Sequence, residues 1–237
     1  MELKNKTILI TGGARVGQFV AEELLAAGAK LAMTYVRDKS EVHTKAKGYQ
    51  LDVTSEESVQ ELLPAVEKDL GQVDGLVNMI SIFTPDPKEI SYADMQKQFT
   101  INAFGNMLLS RLFAENAKQR GVKNAPIVSF IDWAVDHPYG NFDIYMGAKA
   151  ALRHYLMSLQ TTFAGVIRVV NIHPGLILEP PNFPEKQKES IRVNTPVKQI
   201  GSPEQAAKLV RTALELDFLV DNIRLAGGQQ WRHRLAS

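Results

Sequence analysis

Tyr145 and Lys149 stand four residues apart in Tyr145-Met146-Gly147-Ala148-Lys149, which on a helix brings a phenol and an ammonium to one face. A nearby cation favours the tyrosinate, so the pair predicts a tyrosine of lowered pKa that gives or takes a proton in hydride chemistry. Any helix can carry Tyr and Lys at this spacing by chance, and the pair gains weight only from its company. Asp132 follows the apolar run Ile127 to Ile131 and precedes Tyr145 by thirteen residues. Asn102 lies in Ile101-Asn102-Ala103, and His173-Pro174-Gly175 forms a turn after another apolar run. Asp132 reads either as a proton partner for Tyr145 or as the cap of a strand end, and His173 as a residue that shapes its turn. His43, His137 and His154 show no ligand spacing, so no metal site is expected.

Such side chains need elements to hold them. Thr7 to Ile10 is a short β-branched run ending in Thr11-Gly12-Gly13-Ala14-Arg15-Val16-Gly17, after which Val16, Phe19, Val20, Leu24 and Leu25 recur at helical spacing up to Gly28. A strand, a glycine turn and a helix are the layout of a dinucleotide-binding turn. Glycines let the backbone approach phosphate, and the helix start supplies free N–H groups and partial positive charge. After a second strand, Leu31 to Val36, the usual ribose-binding carboxylate is replaced by Arg37-Asp38-Lys39. Arg37 and Lys39 would pair with a 2′-phosphate, which favours NADPH over NADH; Asp38 reads as a loop cap or surface charge. The other reading of Arg37 and Lys39 is a solvated loop.

The alternation continues, with strands at Tyr49 to Val53, Val73 to Ile80, Ile127 to Ile131 and Val166 to Ile172. Helices fall at Ser55 to Leu70, at Tyr92 to Lys118 with a change of character near Gly105, and at Tyr145 to Phe163. Ser202-Pro203-Glu204 opens a last helix to about Leu216, followed by a short strand, Ile223 to Leu225. This predicts an α/β fold, a Rossmann-type doubly wound parallel sheet with helices on both faces, in a single domain over residues 1–237. Residues 179–200, with Pro180, Pro181, Pro184 and a charged helical piece from Glu185 to Arg192, read as a substrate loop.

Composition agrees with a globular enzyme and excludes several classes. Of 237 residues 45% are hydrophobic, and 27 basic residues face 26 acidic ones, too even a balance for a nucleic-acid binder. The absence of cysteine removes disulfides, thiolate metal sites and a Cys nucleophile, and fits a cytoplasmic location. No run reaches the roughly 20 apolar residues of a membrane span, and Met1 to Lys6 lacks a cleavage-site pattern, so the chain reads as mature protein.

Taken in order, Thr11-Gly12, Asp52-Val53, Asn78, Asn102, Tyr145 to Lys149 and Pro174-Gly175 resemble the short-chain dehydrogenase/reductase family across essentially the whole chain. The resemblance implies that Tyr145 moves the substrate proton, that Lys149 holds the nicotinamide ribose and that Asn102 anchors a water-linked relay. It also implies that Pro174-Gly175, with Ile177, lies along the nicotinamide, and Asp52-Val53 along the adenine. Where the usual member has serine this chain has Asp132, which is similar to the pteridine reductase and dihydromonapterin reductase branch, whose product is a tetrahydropterin. Phe130-Ile131-Asp132-Trp133-Ala134-Val135 and Ser81-Ile82-Phe83 fit that branch, in which the phenylalanine stacks on the pterin and the aspartate works with the tyrosine. A flat heteroaromatic with many donors suits a stacking ring and a carboxylate. Phe83 also reads as an apolar loop anchor, Trp133 as a pocket wall or as packing, and Arg15 as a phosphate and substrate ligand or as a surface residue.

The resemblance further implies a homotetramer with its C-terminal tail at a subunit interface, where Arg232 or Arg234 would reach a neighbour's site. Two departures stand out. Gly12 to Gly17 encloses four residues where the family has five, which puts the pyrophosphate geometry in question, and Ile80 stands at a small position where it would crowd the nicotinamide ribose. The expectation is an NADPH-dependent reductase of a dihydropterin or dihydrofolate. The alternatives are a general carbonyl or 3-oxoacyl reductase, and a non-catalytic nucleotide or pterin sensor.

Overall fold

Thr7–Thr11 is β-branched and apolar and buried along its whole length, and it forms the central strand β1. It can be buried on both faces because helices cover both, as a parallel sheet requires. The computed structural model describes residues 1–218 and 220–229. The other strands are β2 (Lys30–Tyr35), β3 (Lys47–Gln50), β4 (Val73–Asn78), β5 (Ala125–Phe130), β6 (Ile167–Pro174) and β7 (Asn222–Leu225). They pair in the order β3-β2-β1-β4-β5-β6-β7, and every pairing is parallel. This is the doubly wound Rossmann-type sheet expected from the alternation of elements.

Among the described residues seven α-helices accompany it: α1 (Val16–Ala26), α2 (Glu56–Leu70), α3 (Tyr92–Phe99), α4 (Gly105–Gln119), α5 (Asp143–Thr162), α6 (Glu185–Asn194) and α7 (Pro203–Glu215). Val59 and Leu62 of α2, Leu109 and Phe113 of α4 and Leu152 and Leu156 of α5 fill one core. Val20 and Leu24 of α1 and Ala206 and Val210 of α7 fill the other, on the opposite face. Sequence signals set several boundaries: Ser55 caps α2, Gly28 leaves α1 at φ +83°, and Ser202 with Gln205 forms a capping box on α7.

The long helix expected from Tyr92 to Lys118 is interrupted as its change of character suggests. Thr100–Phe104 forms a π-helical turn between α3 and α4. Gly105 follows because a Cβ there would lie 2.6 Å from Val53, where the chain between β3 and α2 presses against α4. The turn is where Asn102 sits, fully buried; local π geometry of this kind recurs at functional sites.

Candidate active site

Sheet order reverses direction between β1 and β4, and clefts at the carboxyl ends of such a pair are where open α/β sheets bind ligands. Gly12 follows β1 and Met79 to Ser81 follow β4, so the glycine turn and the second departure flank this point. Gly12 has φ +78°, and a Cβ on it would meet the Ile80 backbone nitrogen at 3.3 Å. A Cβ on Gly17 would stand 2.5 Å from the Gly12 carbonyl oxygen, and one on Gly13 2.9 Å from that of Glu41. Thr34 pins the turn to β2, its Oγ1 accepting from Gly12 N and its carbonyl from Gly13 N, both at 3.1 Å.

In the shortened turn Arg15 adopts φ 55° and ψ −113° as the cap of α1, and the helix begins at once with Val16 and the buried Gly17. Its exposed guanidinium donates to the carbonyls of Leu178 (3.3 Å) and Glu179 (2.8 Å), tying the glycine turn to the segment after β6. Glu179 in turn pairs with Lys188 of α6 at 2.6 Å. The concern over Ile80 is answered in part: its side chain packs against the core formed by α2, α4 and α5.

The Tyr145 hydroxyl donates to Asp132 Oδ2 at 3.2 Å, and the other carboxylate oxygen accepts from Ala134 N at 2.8 Å. One residue therefore both caps the turn after β5 and faces the phenol. The Ser81 hydroxyl lies beside the phenol of Tyr145 and donates to Asn102 Oδ1 at 2.9 Å. Asn102 Oδ1 also accepts from Ile82 N at 2.8 Å, and its amide donates to Gln98 Oε1 at 2.7 Å. Lys149 is buried and donates to the Phe130 carbonyl at 2.9 Å.

These surroundings overturn the lowered tyrosine pKa expected from the Tyr–Lys spacing. Burial first, and then the Asp132 carboxylate, hold the Tyr145 phenol well above its ordinary value, with Ser81 acting weakly the other way. Burial likewise raises Asp132, against the pull of the Ala134 N–H, Lys149 and Tyr145. Burial lowers Lys149 to about 8, opposed by Asp132. The spacing foresees the cation but not the carboxylate that stands closer, nor the carbonyl that takes the ammonium. The result is a phenol stocked with its proton at pH 7, suited to act as an acid.

A stability effect follows with a definite sign. Because the folded pKa of Lys149 lies near 8 and the ordinary value is 10.5, the unfolded chain binds more protons between the two. The stability contributed by this site therefore rises as pH increases from about 8 towards 10. Melting curves of wild type and Lys149→Met across that range should show a gap that closes in favour of the wild type as pH rises; a constant gap refutes it.

An aromatic chain walls the same place. The half-exposed Phe83 ring stacks on Phe142 (centroids 4.3 Å apart, planes at 7°) and meets Tyr145 at 5.0 Å in a T-shaped contact. Phe142 meets Tyr139 at 5.6 Å, and Tyr139 lies 6.2 Å from the buried Trp133. One face of Phe83 is thus covered by Phe142. Neither Tyr139 nor Phe142 stands out in the sequence, although two aromatics within six residues of Tyr145 were a signal available there.

The remaining residues spread along the carboxyl edge. Asn78 donates to Ser110 Oγ at 2.8 Å; Asp52 Oδ1 accepts from Thr54 N and Oγ1 at 2.8 and 2.7 Å; Val53 and Ile177 are buried. Gly175 N donates to Leu225 O at 2.9 Å, continuing from Pro174 at the end of β6. Arg37 and Lys39 are exposed beyond β2, and Asp38 between them accepts from Ser40 N at 2.8 Å as a loop cap. Arg232 and Arg234 lie outside the described residues. Among the described residues no group of His, Asp and Glu could hold a metal, and no helix is long and apolar enough to cross a membrane.

Residues 13–217 match the family model described as enoyl-(acyl carrier protein) reductase. The 7alpha-hydroxysteroid dehydrogenase of Escherichia coli (strain K12) is 28% identical over 222 residues, covering 87% of this chain and 86% of that protein. The serine 3-dehydrogenase of Agrobacterium fabrum is 28% identical over 181 residues, covering 72% and 71%. In fold, the NADPH-dependent 3-quinuclidinone reductase of Rhodotorula rubra is similar with a TM-score of 0.83 at 23% identity, over 96% of this chain and 92% of that one. A family match across most of the chain, on a sheet of this order, means that the protein belongs to the short-chain dehydrogenase/reductase family, oxidoreductases that use NAD(P) nucleotides.

Proposed function

We propose that the chain is an NADPH-dependent reductase of a flat heteroaromatic substrate of the pterin type. The observation that carries this reading is the Tyr145–Asp132 hydrogen bond beneath the aromatic chain Phe83, Phe142 and Tyr139. A carboxylate accepts N–H groups of a pterin, and the aromatic wall offers π-faces to its ring.

The residues fit the dinucleotide. Gly12, Gly13 and Gly17 leave room for backbone only, and the start of α1, at Val16, faces the turn with its partial positive charge. Arg15 borders the same turn, Arg37 and Lys39 would meet a 2′-phosphate, and Asp52 and Val53 would border the adenine. Asn78, Ser81, Lys149, Pro174, Gly175 and Ile177 would line the nicotinamide end. When bound, the reduced nicotinamide supplies the hydride. Tyr145 donates the proton that the heteroatom of the reduced bond requires, Asp132 accepts from the substrate and steadies the phenol, and Asn102 holds Ser81 in place. Residues 179–200, with α6, would close over the substrate.

A second reading, a general carbonyl reductase, is favoured by the relatives, whose names are those of hydroxysteroid and serine dehydrogenases. Turnover with NADPH on a dihydropterin and on a panel of ketones separates the two. A kcat/KM higher for the dihydropterin supports the first reading, and a preference for ketones replaces it with the second. Binding of ligands with no turnover on either panel would leave the sensor.

Cofactor choice has its own test. Hydrogen bonds to charged groups contribute about 1.5–3 kcal/mol, and each 1.4 kcal/mol is tenfold in affinity. Replacing Arg37 and Lys39 together by alanine should therefore raise the NADPH Kd by roughly tenfold or more while leaving NADH unchanged. Equal effects on both nucleotides would remove these two residues from 2′-phosphate recognition.

A further inference from the structure

His173 is a titratable side chain that the chemistry above does not use, and it is 1% exposed directly behind the active site. Its Nδ1 lies 3.1 Å from the backbone carbonyl oxygen of Asp132, and its Nε2 lies 2.9 Å from Asn222 Oδ1. A backbone carbonyl cannot turn and only accepts, so Nδ1 carries the proton and donates to it, while the Asn222 amide, which can turn, offers its NH2 to Nε2 on the neutral ring. The same carbonyl also lies 3.4 Å from Val135 N, a long contact for a hydrogen bond.

This matters because Asp132 cannot be moved without its backbone. Its side chain is locked within its own turn by the Ala134 N–H, so the place where Oδ2 meets Tyr145 is decided by where that turn is held. The last strand holds it at two points. Asn222 reaches it through His173, and Arg224 pairs at 2.5 Å with Asp136 Oδ2 at the other end of the turn, where Arg153 holds Oδ1 at 2.6 Å. In the sheet Asn171 pairs with Asn222 and His173 with Arg224, so β6 and β7 present both braces side by side.

We propose that His173 is a positioning residue for the proton-donating pair, fixing through its Nδ1–H the Asp132 carbonyl, and with it the carboxylate, against Tyr145. The proposal rests on the reductase reading only for its kinetic arm. Misplacing a reacting group by about 1 Å costs on the order of 10²-fold in rate, which sets the scale of the effect.

Two conservative variants divide the ring's two contacts. The asparagine amide nitrogen falls near the position of Nδ1, so His173→Asn keeps the donor to Asp132 and gives up Asn222. The glutamine amide falls near Nε2, so His173→Gln does the reverse. In the full chain, His173→Gln should lower kcat by roughly 10²-fold with the NADPH Kd little changed, and His173→Asn should restore most of the loss. The second readout needs no turnover: tyrosine labelled with carbon-13 at Cζ, with Tyr145→Phe to assign the signal. In wild type and His173→Asn the Tyr145 phenol should stay protonated beyond the ordinary tyrosine range. In His173→Gln, with the carboxylate displaced, its transition should move down.

An unmoved Tyr145 transition in a folded His173→Gln, or equal kinetic losses in both variants, would overturn the proposal. A wild type that turns over no substrate, with the titration behaving as stated, would sink the reductase reading and leave the positioning role standing. If His173→Gln does not fold, Asn222→Ala at the exposed sheet edge takes its place. Because the Nδ1–H donor is kept there as in His173→Asn, its Tyr145 transition should stay where it is in wild type, and a transition that moves down would pass the positioning role to Asn222 and refute it for the Nδ1–H of His173.

Discussion

In Tyr145→Phe, kcat should fall by about 10²–10⁴-fold, the usual contribution of a positioned acid, while the fold and the NADPH Kd stay close to wild type. The ring is buried in its own pocket, and phenylalanine keeps its shape against Phe83. What is lost is the phenol that bonds to Asp132. Because burial and Asp132 both hold the phenol protonated, the wild-type reduction rate should show no fall attributable to Tyr145 up to about pH 10, its ordinary value. A Phe variant of undiminished turnover would show that another group supplies the proton. A falling limb near neutral pH that disappears in the variant would show that the bound enzyme depresses the phenol after all.

The second large effect is expected at the glycine turn. In Gly17→Ala the new Cβ would stand 2.5 Å from the Gly12 carbonyl oxygen, a contact between two backbone segments with no flexible side chain to give way. Forced shifts of this kind cost about 1–3 kcal/mol, equivalent to about tenfold to a hundredfold in Kd if borne by the nucleotide site. Titration of nicotinamide fluorescence should show NADPH binding weakened by that factor. Unchanged affinity would mean that the turn is not where the pyrophosphate lies, and would undercut the nucleotide assignment as a whole.

The fold was legible in the sequence because its signals are local and repeated. Strands and helices alternate, Ser55, Ser202 and Gly28 mark ends, and the change of character near Gly105 marks the π turn. The members of the site were legible for a similar reason, since Asp132, Tyr145, Lys149 and Asn102 follow strands or sit on helices at countable offsets. Their electrostatics were not. Spacing reveals that Lys149 shares a face with Tyr145, but not that its ammonium turns to the Phe130 carbonyl, nor that burial outweighs the cation. Counting likewise exposes the shortened turn but not the positive φ that Arg15 takes in it. The contacts of His173, which the sequence shows only as shaping its own turn, and of Phe142 need long-range information: their partners, Asn222 and Phe83, lie 49 and 59 residues away in the chain.

From β4 outward the sheet is laid down in chain order, each strand joining the one made before it and ending with β7 at the rim. A polypeptide emerging from the ribosome can therefore extend this half of the sheet as it is synthesised. The brace on the Asp132 turn, however, must wait for Asn222 and Arg224, which follow Asp132 by 90 and 92 residues. A chain of fewer than 222 residues thus carries Tyr145, Lys149 and Asp132 without Asn222 and Arg224, the far partners of the Asp132 turn.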